Sequence, residues 1–178
     1  MVIIKDILHK ELVKFLGLYY LNYEKKRGGN PTLLHNTLGY TNASDYYGEY
    51  LTECVMGYIQ PKVREALGKD VRSSFSYLRI YHEGDKLEKH TDRWSSEYTV
   101  SLNLLQSEPW DFFIDGEVIK QEPGDCVLYE GEKTPHWRLP FKGEYYIQCL
   151  MSYVFVNYLH VDDQIFEPRK GRFFHRLE

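Results

Sequence analysis

A mainly β domain with helices on its N-terminal side is the fold class this chain predicts, and three observations carry it. Apolar residues recur at helical spacing through the first third of the chain. From Arg72 onward the character changes to short aromatic and β-branched runs broken by Gly, Pro, Asn and Asp, with no helical stretches between them to make βαβ units. Those runs amount to roughly eight short strands, enough for two sheets folded face to face as a jelly roll.

Taken in order, Asp6 caps a first helix whose apolar positions Leu8, Leu12, Phe15 and Tyr19 share one face. Gly28-Gly29 and Pro31 stop it. Asn30 to Gly48 is rich in Asn, Thr, Gly and Tyr and reads as an irregular connection, either crossing the mouth of a site or lying on the surface. A second helix is expected from Ser44 or Asp45, with Tyr47, Leu51, Val55 and Tyr58 on one face, interrupted at Pro61 and followed by a stop at Gly68. Asp115-Gly116, set between Trp110–Ile114 and Glu117–Lys120, is a two-residue hairpin signal, and Pro123-Gly124 and Lys142-Gly143 mark further turns. Without repeats or linkers, the 178 residues read as one domain: a helical flank over 1–70, a jelly-roll core over 71–156 and a tail over 157–178. The tail carries Arg169, Lys170, Arg172, His175 and Arg176, a solvated basic cluster or, as the lesser reading, a contact for an anion.

Composition narrows the function classes. The net charge is −4 with both signs mixed along the chain, which gives no footprint for nucleic acid or an anionic membrane. Cys54, Cys126 and Cys149 are an odd number without close pairing, so buried thiols in a reducing compartment are expected rather than disulfides. No signal-peptide pattern opens the chain and no apolar run approaches the ~20 residues of a bilayer span, so a soluble, cytoplasmic protein is the expectation. The 16 tyrosines, each with apolar area and a hydroxyl, suit a partly polar interior or a binding surface.

Chemistry concentrates around His90-Thr91-Asp92. An imidazole and a carboxylate at i and i+2 point the same way on extended backbone, and a third donor, His136, opens a later extended run. Two neutral imidazoles and one carboxylate on one metal face leave positions open, as non-haem Fe(II) requires. By strand parity Tyr77, Arg79 and Tyr81 share a face, and His82 must look the other way. Thr99, Ser101 and Asn103 likewise share one face of Tyr98–Leu104, as a polar cavity wall or as a solvent-facing strand. His9, His35, His160 and His175 have no partner at ligand spacing.

The H-x-D with Tyr81 and Gly84 before it, the turn-punctuated strands that follow and the distal His136 together resemble the iron(II)- and 2-oxoglutarate-dependent dioxygenases, in particular the prolyl 4-hydroxylase-like branch. The resemblance runs from about Phe75 to Val156. It implies a double-stranded β-helix, Fe(II) on His90, Asp92 and His136, and 2-oxoglutarate and O2 as cosubstrates. It also implies a cosubstrate contact from Tyr81 and another from Asn103. One departure stands out. Relatives place an Arg or Lys a short way beyond the distal His, in a G-x-R-like segment, to pair with the far carboxylate of 2-oxoglutarate, and here that place reads Gly143-Glu144-Tyr145-Tyr146. A carboxylate buried without a cation is costly, so another cation is expected. Arg138 comes first, being two residues past His136 on the same face; Arg79 comes second and Lys142 third.

The resemblance therefore implies a hydroxylase acting on a peptidyl, including prolyl, or small-molecule C–H bond, with 2-oxoglutarate decarboxylated to succinate. Arg93, Trp94 and Trp137, next to ligand positions, would border the entrance or simply pack. Two other classes use the same features: a non-catalytic jelly-roll module that binds a small ligand, and a zinc-dependent hydrolase on the same three ligands.

Overall fold

The computed structural model describes residues 1–27 and 42–156. The expected stop at Gly28-Gly29 and Pro31, the connection from Asn30 as far as residue 41, His35, and the tail from Asn157 with its basic cluster lie outside the described residues.

The described chain is a jelly roll of two antiparallel sheets with two helices against one of them. In chain order the elements are β1 (Val2–Ile4), α1 (Lys10–Arg27), β2 (Ser44–Tyr47), α2 (Tyr50–Leu67), β3 (Val71–His82), β4 (Leu87–His90), β5 (Tyr98–Gln106), β6 (Phe112–Ile114), β7 (Glu117–Ile119), β8 (Cys126–Tyr129), β9 (His136–Arg138) and β10 (Tyr145–Phe155). The larger sheet runs β1-β8-β5-β10-β3-β2 and the smaller β4-β9-β6-β7. No helix among the described residues is long and apolar enough to cross a membrane.

The larger sheet is covered on both faces, which is why its long strands are buried at most positions although polar residues alternate with apolar ones. Leu78, Ile80, Val100, Leu102, Ile147 and Cys149 point outward into the core shared with Leu16, Tyr20, Met56, Ile59 and Val63 of the helices. The residues between them face the smaller sheet, where Tyr81, Trp110, Phe112, Phe141 and Tyr146 form a second apolar cluster. Each fully buried aliphatic or aromatic side chain contributes about 1.5–3 kcal/mol, so the two layers together hold the sandwich closed. The Asp115-Gly116 hairpin forms as its sequence requires, with φ of 52° and 87° at the two central residues of the β6–β7 turn.

Both helices differ from the expectation in detail. The buried face of α1 is Val13, Leu16 and Tyr20, while Leu12, Phe15 and Tyr19 are exposed. Gly17 decides this: a Cβ there would stand 2.7 Å from Leu105 Cβ and 2.9 Å from the Leu104 carbonyl, so only the glycine stripe can approach β5. Asp6 sits in a turn at φ 48°, and His9 precedes the helix, its carbonyl accepting from Val13 N at 3.1 Å. Ser44–Tyr47 is an edge strand paired to β3 rather than the start of a helix. The second helix begins at Tyr50, where the Glu49 carboxylate accepts from the amides of Leu51 and Thr52 at 2.9 and 3.2 Å. It runs through Pro61 to a left-handed Gly68 cap. Ile59 and Val63, both with no exposed surface, flank the proline, and their packing outweighs a loss of about 3 kcal/mol from a mid-helix proline. Tyr47 and Tyr58, assigned to the buried face, are exposed. Among the thiols, Cys126 and Cys149 are buried and Cys54 is exposed; burial pushes the Cys126 thiol up to about 12.

His82, looking away from Tyr81, bonds through Nε2 to Glu24 of α1 at 3.0 Å and so ties helix to sheet. That bond raises the imidazole above its ordinary range. A raised folded-state value means the stabilisation is complete below the unfolded value of about 6.5 and fades as pH climbs through the folded one. Stability should therefore fall from pH 6 towards pH 8 by a component that Glu24→Gln removes, as measured by urea melts across that range.

Candidate metal centre and its pocket

Three elements bring the donors together. β4 pairs with β9 so that His90 lies directly opposite His136, with ring centroids 4.3 Å apart. The pairing is irregular: Leu87 opposes Arg138, so three steps along β4 match two along β9. This extra residue behaves as a bulge, which inverts facing parity and turns both Leu87 and His90 inward while Glu88 and Lys89 stay exposed. Asp92 follows two residues later, its amide bonded to the Gly131 carbonyl at 2.9 Å.

The donor atoms converge. Asp92 Oδ1 stands 3.7 Å from His90 Nε2 and 3.6 Å from His136 Nε2, and all three lie within 4.8 Å of one another. Each imidazole is oriented through its other nitrogen: His90 Nδ1 meets the Glu88 carbonyl at 2.8 Å and His136 Nδ1 the Thr134 carbonyl at 2.9 Å. With the proton on Nδ1, both Nε2 lone pairs face the common point. Thr99 Oγ1 donates to Asp92 Oδ2 at 2.7 Å, which leaves Oδ1 free. Burial holds His136 below the ordinary imidazole range, against the pull of Asp92, which favours the neutral imidazole that a metal requires. Donors at right angles on a metal at about 2.1 Å stand about 3 Å apart, so the Asp92 oxygen is within about an ångström of that spacing from each imidazole nitrogen. Two imidazole nitrogens and one carboxylate oxygen fit Fe(II) and leave the remaining positions to other ligands.

Behind the donors lies Arg138, 1 % exposed. Its guanidinium is boxed by Trp110, Phe112 and Tyr146, with ring centroids 4.4 to 4.7 Å from Cζ. Nη1 donates to the Trp110 carbonyl at 2.8 Å, and Nη2 to Gln121 Oε1 at 3.0 Å and to the Tyr146 hydroxyl at 3.2 Å, while Nε has no acceptor. No carboxylate pairs with it among the described residues. Arg79 is different, since Asp45 faces it with Oδ1 at 2.5 Å from Nε and Oδ2 at 3.0 Å from Nη2. Tyr81 is fully buried, its ring edge-on to Trp110 at 4.9 Å. Thr99, Ser101 and Asn103 form a buried polar wall, and Asn103 Nδ2 donates to Gln106 Oε1 at 2.7 Å and to the Gln121 carbonyl at 3.0 Å. Lys142 is exposed, away from this pocket.

The sequence reading missed Gln121, Trp110 and Gly131. Gln121 and Trp110 come from irregular segments flanking β6 and β7, whose reach no periodicity reveals. The Gly131 signal is a glycine shortly before the distal His: a Cβ there would stand 2.4 Å from Asp92 Oδ2, 2.5 Å from the Ser96 carbonyl and 2.6 Å from Thr99 Oγ1.

No protein-family model matches the chain, and no curated protein matches it by sequence. Solved structures do match in shape. A Pseudomonas putida prolyl-4-hydroxylase superposes with a TM-score of 0.64 at 16% identity, over 85% of this chain and 90% of that one. A viral collagen prolyl hydroxylase from Paramecium bursaria Chlorella virus-1, solved as a 2-oxoglutarate complex, gives 0.63 at 17% identity over 85% and 94%. The non-heme α-ketoglutarate-dependent epimerase SnoN of nogalamycin biosynthesis gives 0.67 at 11% identity over 86% and 76%. The fold is thus the jelly roll of the Fe(II)/2-oxoglutarate oxygenases, prolyl 4-hydroxylases among them.

Gly131→Ala should displace the Asp92 carboxylate and weaken Fe(II) or Zn(II) binding at least tenfold, read by anaerobic calorimetry. Unaltered affinity in a folded variant would show that Asp92 does not need this cradle.

Proposed function

We propose that this chain is an Fe(II)- and 2-oxoglutarate-dependent oxygenase that hydroxylates a C–H bond of a peptidyl, including prolyl, or small-molecule substrate. His90, Asp92 and His136 hold the iron, and Arg138 anchors the far carboxylate of 2-oxoglutarate. The observation that carries the reading is Arg138 itself, a buried cation with an unsatisfied Nε and no carboxylate partner among the described residues, two positions past a donor on the same strand. An uncompensated buried charge costs several kcal/mol, and a dicarboxylate arriving in the pocket would offset that cost. A metallohydrolase activating water on the same donors has no use for a second, deeper cation.

Iron(II) with the ketoacid and O2 supplies the oxidising power for the C–H bond, 2-oxoglutarate leaving as succinate and carbon dioxide. The protein's own residues do the positioning. Arg138 offers a planar fork, and Gln121 and Tyr146, each already bonded to it, fix that fork in the aromatic box. The place where relatives carry the cation reads Gly143-Glu144-Tyr145-Tyr146 here, and the Tyr146 hydroxyl on β10, bonded to the Arg138 guanidinium on β9, shares the task. Tyr81 walls the pocket beside Trp110, and Asn103 steadies Gln121 from below. Arg79 brings Asp45 with it and offers no net charge, so it shapes the polar floor instead.

The test is succinate and carbon dioxide release under O2 from the Fe(II)-loaded protein, screened against peptides and metabolites. Arg138→Ala should raise the apparent KM for 2-oxoglutarate tenfold or more, about 1.4 kcal/mol or above, with metal affinity retained. An unchanged KM would overturn the anchor, and absence of succinate with any substrate would overturn the oxygenase reading.

A further inference from the structure

Next to the metal donors, one cation is unaccounted for by the oxygenase reading. Arg93 directly follows Asp92 and is exposed. Its side chain is laid down rather than waving in solvent: Cζ sits 4.3 Å from the centroid of the Phe75 ring, and Nη2 donates to the Tyr47 hydroxyl at 3.2 Å. Tyr47 in turn stacks on Phe75, with centroids 5.5 Å apart at 22°, and stands edge-on to Tyr77 at 5.6 Å. Of the five N–H groups of a guanidinium, Tyr47 takes one, and no carboxylate among the described residues pairs with the rest.

The register places this ledge in the row of the residue that holds Asp92. On the inner face of the larger sheet Phe75 of β3 lies opposite Ser152 of β10, which lies opposite Thr99, the residue that holds Asp92. One row further in, Tyr77 opposes Leu150, and both are only half-buried. At the other end of the same face Tyr146 opposes Tyr81, closed over by Trp110. Among the described residues the Arg138 end of this face is covered by Trp110, while Tyr77 and Leu150 towards the Arg93 end keep exposed surface, which puts accessible aromatic surface beside the donors.

We propose that Arg93, held by Phe75 and Tyr47, binds an anionic group of the prime substrate, a carboxylate in the first instance, while the flat or apolar part beside it lies on Tyr77. This inference rests on the oxygenase reading for the word substrate, but its binding chemistry stands apart from turnover. The proposal separates two anion subsites: Arg138 for the cosubstrate beneath Trp110, Arg93 for the substrate on the ledge. It also limits the substrate class to molecules with a charged acid close to the C–H bond attacked, such as a free amino acid, a chain-terminal peptide residue or an aromatic acid.

The test uses the full chain loaded with zinc and saturated with 2-oxoglutarate, so that no turnover occurs. N-benzoylglycine and its neutral amide serve as probes, titrated by calorimetry and by the NMR signal of the Arg93 side-chain Nε–H. The acid should bind at least tenfold more tightly than the amide and shift the Arg93 signal. Arg93→Gln should bring the acid down to the amide's level, and Arg93→Lys should keep part of the difference. Equal binding of acid and amide by the parent protein would overturn the proposal, as would a preference for the acid that survives in Arg93→Gln. The succinate assay decides the oxygenase reading separately, because the acid–amide difference is read without any reaction.

Discussion

The bulge in β4 is the feature on which the rest of the interior depends. A strand returns a side chain to the same face every second residue, so with Leu87 turned inward an unbroken β4 would send His90 to solvent. The additional residue opposite β9 inverts that parity and sets His90 against His136. Everything downstream of this registration follows without further irregularity at the site. Arg138 falls on the same face as His136, Trp137 turns outward to stack on Phe113 and carry Lys89 over its ring, and Asp92 reaches the donors as soon as the strand ends.

Charge accounting separates the two arginines of the interior. Arg79 and Asp45 are both nearly buried and satisfy each other with two-point geometry, a pair that shapes the floor and is electrically spent. Arg138 is buried more completely, yet it is held by carbonyl, amide, hydroxyl and ring faces alone. Such an arrangement keeps the ion in place at a standing cost, and the proposed role follows from it: an incoming dicarboxylate would relieve that cost. The aromatic box contributes a second effect, since excluding water raises the strength of the charge-assisted bonds formed there.

Much of this was legible in the sequence, for identifiable reasons. The H-x-D and the Asp-Gly turn are local patterns that group two donors and mark the hairpin, and alternation in β3 and β5 sorts residues by face, but alternation alone leaves open whether the polar face of β5 looks to a cavity or to solvent. The helical faces were misplaced because Leu, Phe and Tyr on α1 look equally apolar, and only the Gly17 approach to β5 selects among them. Ser44–Tyr47 reads as a helix start because Tyr47 continues the apolar spacing of Leu51, Val55 and Tyr58, whereas its place is fixed by an edge pairing with β3 that no local pattern encodes. Gln121 and Trp110 escape the sequence for the same reason: irregular segments bring them to Arg138 from elsewhere in the chain.

The account's central claim is that the three donors and Arg138 act together, one holding the metal and the other the cosubstrate beside it. Anaerobic addition of Fe(II) and then 2-oxoglutarate tests it most directly, because a ketoacid chelating iron gives a visible metal-to-ligand charge-transfer band. The account predicts that the band appears with the parent protein, is lost in His136→Ala, and in Arg138→Ala requires far more 2-oxoglutarate to reach the same intensity. No band at any concentration of the ketoacid, with iron demonstrably bound, would contradict it.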